Sequence, residues 1–268
     1  MTRNKLADLF STGSLEENNQ MGLEYLNREG LFNEEVSTSQ KQTNAIPPQY
    51  SDLARLHSLI RLRKVFSIME FGLGWSTLVM ADALKKNHEE WKALNDKPSI
   101  SGGGGEFQLV CLDTSEYWIN HTKEKVPAAL RDYIKFHHSN VIIGTFQDRI
   151  CHYYESLPDI TPDFIYLDGP DPAAVQGSLS GITFSKTSRI VISADILKIE
   201  PILLPGAMFI VDGRAANVRF LSQHLYRNWQ INSNSTGDIT TFELDEPPLG
   251  KRQAAILAFQ LGQEKPHN

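Results

Sequence analysis

The sequence predicts an α/β fold in which a doubly wound, mostly parallel sheet carries helices on both faces. Short apolar runs alternate with segments of helical periodicity, as expected where crossover helices cover a parallel sheet. Several of these runs end in an acidic residue, and the first, Val65 to Met69, leads through Glu70 into a turn with Gly72 and Gly74. The 268 residues suffice for one large core, and a hydrophobic content of 41% is normal for a globular chain.

Each element follows from a local pattern. Ser51-Asp52 caps a helix that shows Leu53, Leu56 and Ile60 on one face. Beyond the first strand and its helix, we predict strands at about 107–113, 138–143, 163–168 and 207–212, and helices at about 115–134, 147–156, 187–200 and 214–227. Apolar segments between turn residues predict further strands near the end of the chain, at Trp229-Gln-Ile-Asn, Thr240-Thr-Phe-Glu-Leu and Ala254-Ala-Ile-Leu-Ala-Phe-Gln-Leu.

The first glycine turn indicates the class of cofactor. A dinucleotide-binding turn places a pyrophosphate at the start of the helix, and Glu70 would repel it, whereas a sulfonium or an ammonium group would be tolerated or attracted. The dinucleotide motif also has a third glycine and an acidic residue about 20 residues further on. Here Trp75 follows Gly74, and the next strand that ends in an acid ends at Asp113. These features favour S-adenosylmethionine over NAD.

With these residues the chain resembles the class I S-adenosylmethionine-dependent methyltransferases over roughly residues 50 to 262. Met69-Glu-Phe-Gly-Leu-Gly-Trp-Ser-Thr matches their first motif, Pro162-Asp-Phe-Ile-Tyr-Leu-Asp-Gly-Pro-Asp is similar to their fourth-strand motif, and Leu204-Pro-Gly-Ala-Met-Phe-Ile-Val-Asp is similar to their fifth strand. The resemblance implies a Rossmann-like sheet of seven strands with an antiparallel carboxyl-terminal strand beside the fifth. We expect Ala254 to Leu261 to be that strand.

The resemblance also implies a set of cofactor-binding residues. Gly72 and Gly74 would pass under the methionine part of S-adenosylmethionine, and Glu70 would bind its amino group directly or through water. Asp113 would accept hydrogen bonds from both ribose hydroxyls. Asp168 would lie beside the methyl-bearing end of the cofactor.

Three further residues have two interpretations each. Ser76 and Thr77 either add hydrogen bonds to the cofactor or cap the start of the helix. Phe146 follows the predicted third strand, where the adenine of such enzymes lies, so it either stacks on the adenine or belongs to the core.

Acidic residues at the ends of the fourth and fifth strands are the catalytic candidates: Asp168, Asp171 and Asp212. Open parallel sheets bind ligands at this edge, although any one acid there can instead cap a helix or a loop. A hydroxyl acceptor has to lose its proton, and a metal ion would help by lowering its pKa. Asp168 and Asp212 therefore predict a magnesium site, with Asp171 as the only evident source of a third ligand.

The histidines offer a different route to a base. We place His137 and His138 at the start of the third strand, away from the chemistry, and His152 and His224 on helix surfaces. His57 alone would face the mouth of the site, and a packed or solvated role is the stronger interpretation for it.

Composition narrows the partners and the location. With 26 basic and 32 acidic residues the net charge is −6, which disfavours non-specific nucleic-acid binding. The amino terminus lacks the apolar core of a signal peptide, and no run approaches the roughly 18 apolar residues of a membrane span. With only two cysteines, a disulfide framework is not expected. We expect a cytoplasmic protein without membrane contact.

Residues 1–48 differ from the rest because they are rich in Asn, Glu, Ser, Thr and Gln and end at Pro47-Pro48. We interpret them as an extension, partly flexible or forming a lid or a homo-oligomer contact. From the resemblance we expect residues 49–268 to form the S-adenosylmethionine-dependent methyltransferase domain. The segment Gly177 to Phe184 is the second lid candidate, because such loops vary most among related enzymes.

These observations predict a methyltransferase that acts on a hydroxyl group of a sugar-like or other small polar molecule. Two alternatives stay open. One is a noncatalytic cofactor-binding or assembly protein with the same fold. The other, an NAD-linked oxidoreductase, is disfavoured by Glu70 and by the missing third glycine.

Overall fold

The computed structural model describes residues 9–31, 48–95, 97–100, 106–186, 190, 192–234 and 238–262. The helices are α1 (Leu15–Arg28), α2 (Tyr50–Leu62), α3 (Trp75–Ala93), α4 (Glu116–Lys125), α5 (Asp195–Ile199), α6 (Ala215–His224) and α7 (Lys251–Gln260). The strands are β1 (Ser67–Phe71), β2 (Gln108–Asp113), β3 (Ile134–His138), β4 (Val141–Phe146), β5 (Arg149–Tyr154), β6 (Phe164–Leu167), β7 (Val175–Gln176), β8 (Met208–Asp212), β9 (Trp229–Asn234) and β10 (Ile239–Leu244).

A seven-stranded sheet forms the centre of the molecule, in the order β3-β2-β1-β6-β8-β10-β9. The first five strands are parallel, and β10 runs antiparallel to both of its neighbours. Successive residues of β1 enter different cores, since Ile68 packs into one apolar cluster and Met69 and Phe71 into another. Both faces of the sheet are therefore covered, and the predicted doubly wound fold with an antiparallel carboxyl-terminal strand is confirmed.

The identity of the antiparallel strand differs from the prediction. β10 inserts beside β8, whereas the segment predicted for this place, Ala254 to Leu261, lies almost wholly in α7. Its apolar residues repeat at helical spacing and pack on the sheet, with the Phe259 ring stacked on Phe66 at 5.9 Å and 14°. A short apolar run of this kind is compatible with a strand or with a buried helix, and the sequence pattern alone does not distinguish the two.

The segment after β2 also differs from the prediction. The helix predicted to reach residue 134 ends at Lys125, because Pro127 favours an extended conformation for Val126. The predicted strand at 138–143 and helix at 147–156 are instead the hairpin of β4 and β5, in a separate sheet of order β5-β4-β7. Gln147 and Asp148 both adopt positive φ, 47° and 63°, as a tight two-residue hairpin turn requires.

The described part of the amino-terminal extension packs on the domain. A Cβ atom on Gly22 of α1 would lie 2.4 Å from the Tyr50 carbonyl oxygen of α2, so only glycine allows this contact. Arg55, 1% exposed, donates from Nε to the Leu9 carbonyl oxygen (2.9 Å) and from Nη2 to Ser11 Oγ (2.7 Å). Within the described residues, no helix combines the length and the apolar character needed to cross a membrane.

Candidate active site

Two glycine turns meet at the carboxyl edge of the large sheet. Gly72, at φ +95°, follows β1, and a Cβ atom on Gly169, which follows β6, would lie 2.6 Å from the Gly72 nitrogen. The two backbones therefore pack directly against each other, which no side chain at position 169 would allow. A Cβ atom on Gly74 would meet no atom within 4 Å, so the turn borders open space at the start of α3.

Glu70, at the end of β1, is hydrogen-bonded to the start of α3. Its carboxylate accepts from Ser76 Oγ at 2.5 Å and from Thr77 Oγ1 at 2.7 Å, and Thr77 Oγ1 also accepts from the Gly74 nitrogen at 3.1 Å. Burial raises the pKa of Glu70 to about 7, although both hydroxyl donors act in the opposite direction. The three predicted cofactor-binding side chains thus hold the turn in shape through bonds to one another.

Asp113 ends β2, next to β1 in the sheet. It is half-buried, and its Oδ1 accepts from the Ser115 nitrogen at 2.7 Å. Burial raises its pKa, and the backbone donors of Ser115 and Thr114 oppose that shift. The bond to Ser115 fixes the carboxylate at the edge of the sheet where the glycine turn lies.

Asp168 directly follows β6, and Asp212 is the last residue of the neighbouring strand β8. Tyr166 donates from its hydroxyl to Asp212 Oδ2 at 2.7 Å. Burial, together with the nearby carboxylates of Asp52 and Asp168, raises the pKa of Asp212 to about 7. Loss of hydration also raises the pKa of Asp168, while the Arg214 guanidinium opposes the shift. Near neutral pH the Asp212 carboxyl therefore populates both its protonated and its ionised form.

Arg214 is the functional candidate that sequence reasoning missed. Its Nη2 donates to the carbonyl oxygens of Asp168 and, at 3.1 Å, Pro170, so the guanidinium binds the loop that follows β6. Among the described residues its buried Nη1 has no hydrogen-bond partner. The signal in the sequence was a basic residue two positions after Asp212, but the carbonyl groups that it binds lie 44 and 46 residues away along the chain.

The described residues do not fit the predicted magnesium site. No group of three or more His, Cys, Asp or Glu side chains among them could hold a metal ion. Asp171 is exposed, and its carboxylate accepts from the Ala173 nitrogen at 2.8 Å as the cap of a short 3-10 helix, Pro172–Ala174. The positive charge next to Asp168 and Asp212 belongs instead to Arg214.

Phe146 lies at the end of β4, in the smaller sheet. Its ring packs on Phe220 at 6.5 Å and on His224 at 5.5 Å, so it joins the side of α6. The third strand of the large sheet ends instead at His138, whose Nε2 lies 3.1 Å from the Thr114 carbonyl oxygen. The structure therefore does not bring Phe146 to the end of the third strand of the large sheet, where the adenine was expected.

The predicted positions of four histidines are wrong. His137 and His138 end a strand instead of beginning one, and His152 is a fully buried residue of β5. His224 does lie in a helix but is buried there. The stronger interpretation of His57 is confirmed, because its buried ring bonds Tyr25 Oη at 2.7 Å and an oxygen of Asp82 at 3.0 Å.

No family model and no curated protein sequence matches this chain. Solved structures do match it. It is similar to cofactor-bound Rv0187 from MTB at 11% identity and a TM-score of 0.50, with 85% of this chain and 98% of that chain covered. It is also similar to the O-methyltransferase TomG from Streptomyces achromogenes, solved with SAM, at 14% identity and a TM-score of 0.46, with 92% and 100% covered. An O-methyltransferase from Bacillus cereus, solved with SAH, gives 15% identity and a TM-score of 0.40, with 85% and 91% covered. The likeness to Rv0187, at 11% identity, shows a shared fold alone.

Proposed function

We propose that this protein is an S-adenosylmethionine-dependent methyltransferase that methylates a hydroxyl group of a small polar, sugar-like acceptor. One observation carries the proposal. Four acids, Glu70, Asp113, Asp168 and Asp212, converge at the carboxyl edge of one parallel sheet, beside a glycine turn that borders open space. Such an edge is where open α/β sheets bind ligands.

The residues at the glycine turn suit the cofactor. S-adenosylmethionine supplies a methyl group bonded to a positively charged sulfur, and the carbon of that methyl group is the electrophile. The backbone of Gly72 to Gly74 offers a surface without side chains for its methionine part, and Asp113 offers carboxylate oxygens to the ribose hydroxyls. Glu70 places a carboxylate behind the turn and holds the start of α3 through Ser76 and Thr77.

Asp212 is the proposed general base. A base works best when its pKa lies near the working pH, and burial brings the pKa of Asp212 to about 7. The hydroxyl of Tyr166 fixes one carboxylate oxygen and leaves the other for the acceptor proton. Asp168 would position the acceptor, since alignment of the two reacting groups supplies much of the rate of such a transfer.

Titration calorimetry with S-adenosylmethionine, S-adenosylhomocysteine and NAD tests the cofactor. We expect heat from the two sulfur ligands and none from NAD, and the reverse result would support the oxidoreductase alternative. Transfer of a labelled methyl group to a panel of polyhydroxylated acceptors then tests the chemistry. Cofactor binding with no transfer to any acceptor, across pH 6 to 9, would favour the noncatalytic alternative.

A further inference from the structure

Unsatisfied buried polar atoms are concentrated at one place beside the candidate active site. In the part of the chain that the structure describes, five buried side-chain nitrogen or oxygen atoms have no hydrogen-bond partner. Four of them belong to three residues: both ring nitrogens of His152, the hydroxyl of Tyr154 and Nη1 of Arg214. Buried polar groups are nearly always paired, so this donor cluster of His152, Tyr154 and Arg214 calls for a partner.

His152 and Tyr154 lie on one side of a strand, and the charge of Arg214 acts on both of them. His152 and Tyr154 are two residues apart in β5 and therefore point to the same side of that strand. His152 is 0% exposed and Tyr154 1% exposed. Burial and, to a smaller extent, the charge of Arg214 lower the pKa of His152 to about 3, which places the guanidinium within electrostatic reach of the imidazole. The same charge acts on the Tyr154 hydroxyl.

The chemistry of the donor cluster selects an anionic oxygen ligand. A guanidinium only donates hydrogen bonds, a tyrosine hydroxyl donates one, and a neutral imidazole donates one and accepts one. A ligand that satisfies all three therefore has several acceptor atoms. Carboxylate and phosphate groups meet this requirement, and arginine binds both through charge-assisted hydrogen bonds.

The position of the donor cluster connects it to the acceptor. Arg214 Nη2 is held by the carbonyl oxygens of Asp168 and Pro170, in the loop next to the proposed transfer site. The Tyr154 ring packs on Phe71, the residue before Gly72, at 5.7 Å. The ring of Phe184 packs edge-on against His152 at 5.5 Å.

We propose that His152, Tyr154 and Arg214 bind a carboxylate or phosphate group carried by the methyl acceptor. The acceptor class is then an anionic polyhydroxylated molecule, such as a sugar acid or a sugar phosphate. The assignment of the anion to the methyl acceptor rests on the proposed function, but anion binding at these three residues is testable without turnover.

The first test measures anion binding by thermal unfolding. Inorganic phosphate and malonate, titrated against sodium chloride of equal ionic strength, should stabilise the wild-type protein in a saturable manner. Tyr154→Phe and Arg214→Gln should each weaken this binding about 10- to 100-fold, the range for hydrogen bonds to charged groups. Two matched controls should keep this binding: Tyr153→Phe, whose hydroxyl donates to the Thr145 carbonyl oxygen, and Arg219→Gln, at an exposed position of α6, the helix that follows Arg214.

Two results would overturn the site. One is the absence of saturable stabilisation beyond that of sodium chloride, which would leave a buried water as the partner of the cluster. The other is phosphate binding that survives in both Tyr154→Phe and Arg214→Gln. Because S-adenosylmethionine binding is measured separately by calorimetry, failure of the anion site is distinguishable from failure of the proposed function.

The second test separates the acceptor from the cofactor, which also carries a carboxylate. If the acceptor is the source, Tyr154→Phe should leave the dissociation constant of S-adenosylmethionine within about twofold of wild type. A tenfold loss of cofactor affinity in Tyr154→Phe would assign the anion to the cofactor and overturn the proposal. With a hexose phosphate and the matching neutral hexose as acceptors, the wild type should prefer the phosphate through KM, and Tyr154→Phe should lose that preference.

Discussion

Tyr166 and Asp212 are joined across two neighbouring strands by a hydrogen bond of 2.7 Å from the phenol to Oδ2 of the carboxylate. In the register of β6 and β8, Tyr166 pairs with Ile210, so Asp212 lies two residues beyond its partner on the same face of the sheet. The bond orients a carboxylate at the very edge where the strands end. It also favours the ionised form of a group that burial would otherwise keep protonated.

The pH dependence of transfer tests Asp212 as the base. Its raised pKa predicts that kcat/KM rises as the pH increases through about 7 and then levels off, because the ionised form accepts the proton. Asp212→Asn should lower kcat about 100-fold or more, with cofactor affinity retained. Asp171→Asn, which removes an exposed cap, should change kcat less than about twofold. A flat profile between pH 6 and 9 would contradict this role.

Tyr166→Phe tests the hydrogen bond itself. Removing a donor to the carboxylate destabilises its ionised form, so the midpoint of the rate profile should move to higher pH. A hydrogen bond to a charged group contributes about 1.5 kcal/mol, which corresponds to a shift of about one pH unit. An unchanged midpoint in the folded variant would mean that another group sets the profile.

The difference in folding stability between Glu70→Gln and the wild type should depend on pH. The folded-state pKa of about 7 lies above the ordinary value of 4.5, so the folded protein binds this proton more tightly than the unfolded chain. The associated stability is present below about pH 4.5 and is lost as the pH rises through 7, at about 3 kcal/mol at most. Urea unfolding of the ligand-free protein should therefore show the variant gaining stability relative to wild type between pH 5 and pH 8. Glu124→Gln, on the exposed side of α4, serves as the control, and an equal gain there would refute the explanation.

Asp113→Ala should weaken S-adenosylmethionine binding by about 1.5 to 3 kcal/mol, or roughly 10- to 150-fold, with an unchanged melting temperature. The residue ends a strand and is only half-buried, so its removal leaves the core intact. Calorimetry gives the dissociation constant, and Asp132→Ala, which removes an exposed carboxylate just before β3, is the matched control. Equal affinities in the wild type and in Asp113→Ala would remove Asp113 from the site.

Chelation tests whether the Arg214 guanidinium lies where a magnesium ion was predicted. Because Asp171 caps its own helix and the cation beside Asp168 is a guanidinium, transfer should continue at the full rate in excess EDTA. Added magnesium should change the rate less than about twofold. A rate that falls with EDTA and recovers with magnesium would restore Asp168 and Asp212 as metal ligands.

Sequence patterns predicted β1, β2, β6 and β8 because each is an apolar run that ends at or next to an acid, and such runs are distinctive in buried parallel strands. The β4–β5 hairpin was missed because its turn, Gln147-Asp148, lacks the glycine that usually marks such turns. The donor cluster was missed for a different reason. His152, Tyr154 and Arg214 come from a strand and a loop far apart in the chain, and only the folded molecule brings them together.

The insertion of β10 between β8 and β9 has a consequence for the order of assembly. Ile239, the first residue of β10, pairs with Asp212, and the Asp238 carbonyl oxygen accepts from the Gly213 nitrogen at 2.9 Å. During synthesis on the ribosome, the outer edge of β8 therefore lacks this partner until the chain beyond residue 244 has emerged. The proposed base, Asp212, therefore acquires its final strand partner only after the residues of the glycine turn and Asp113 have been synthesised.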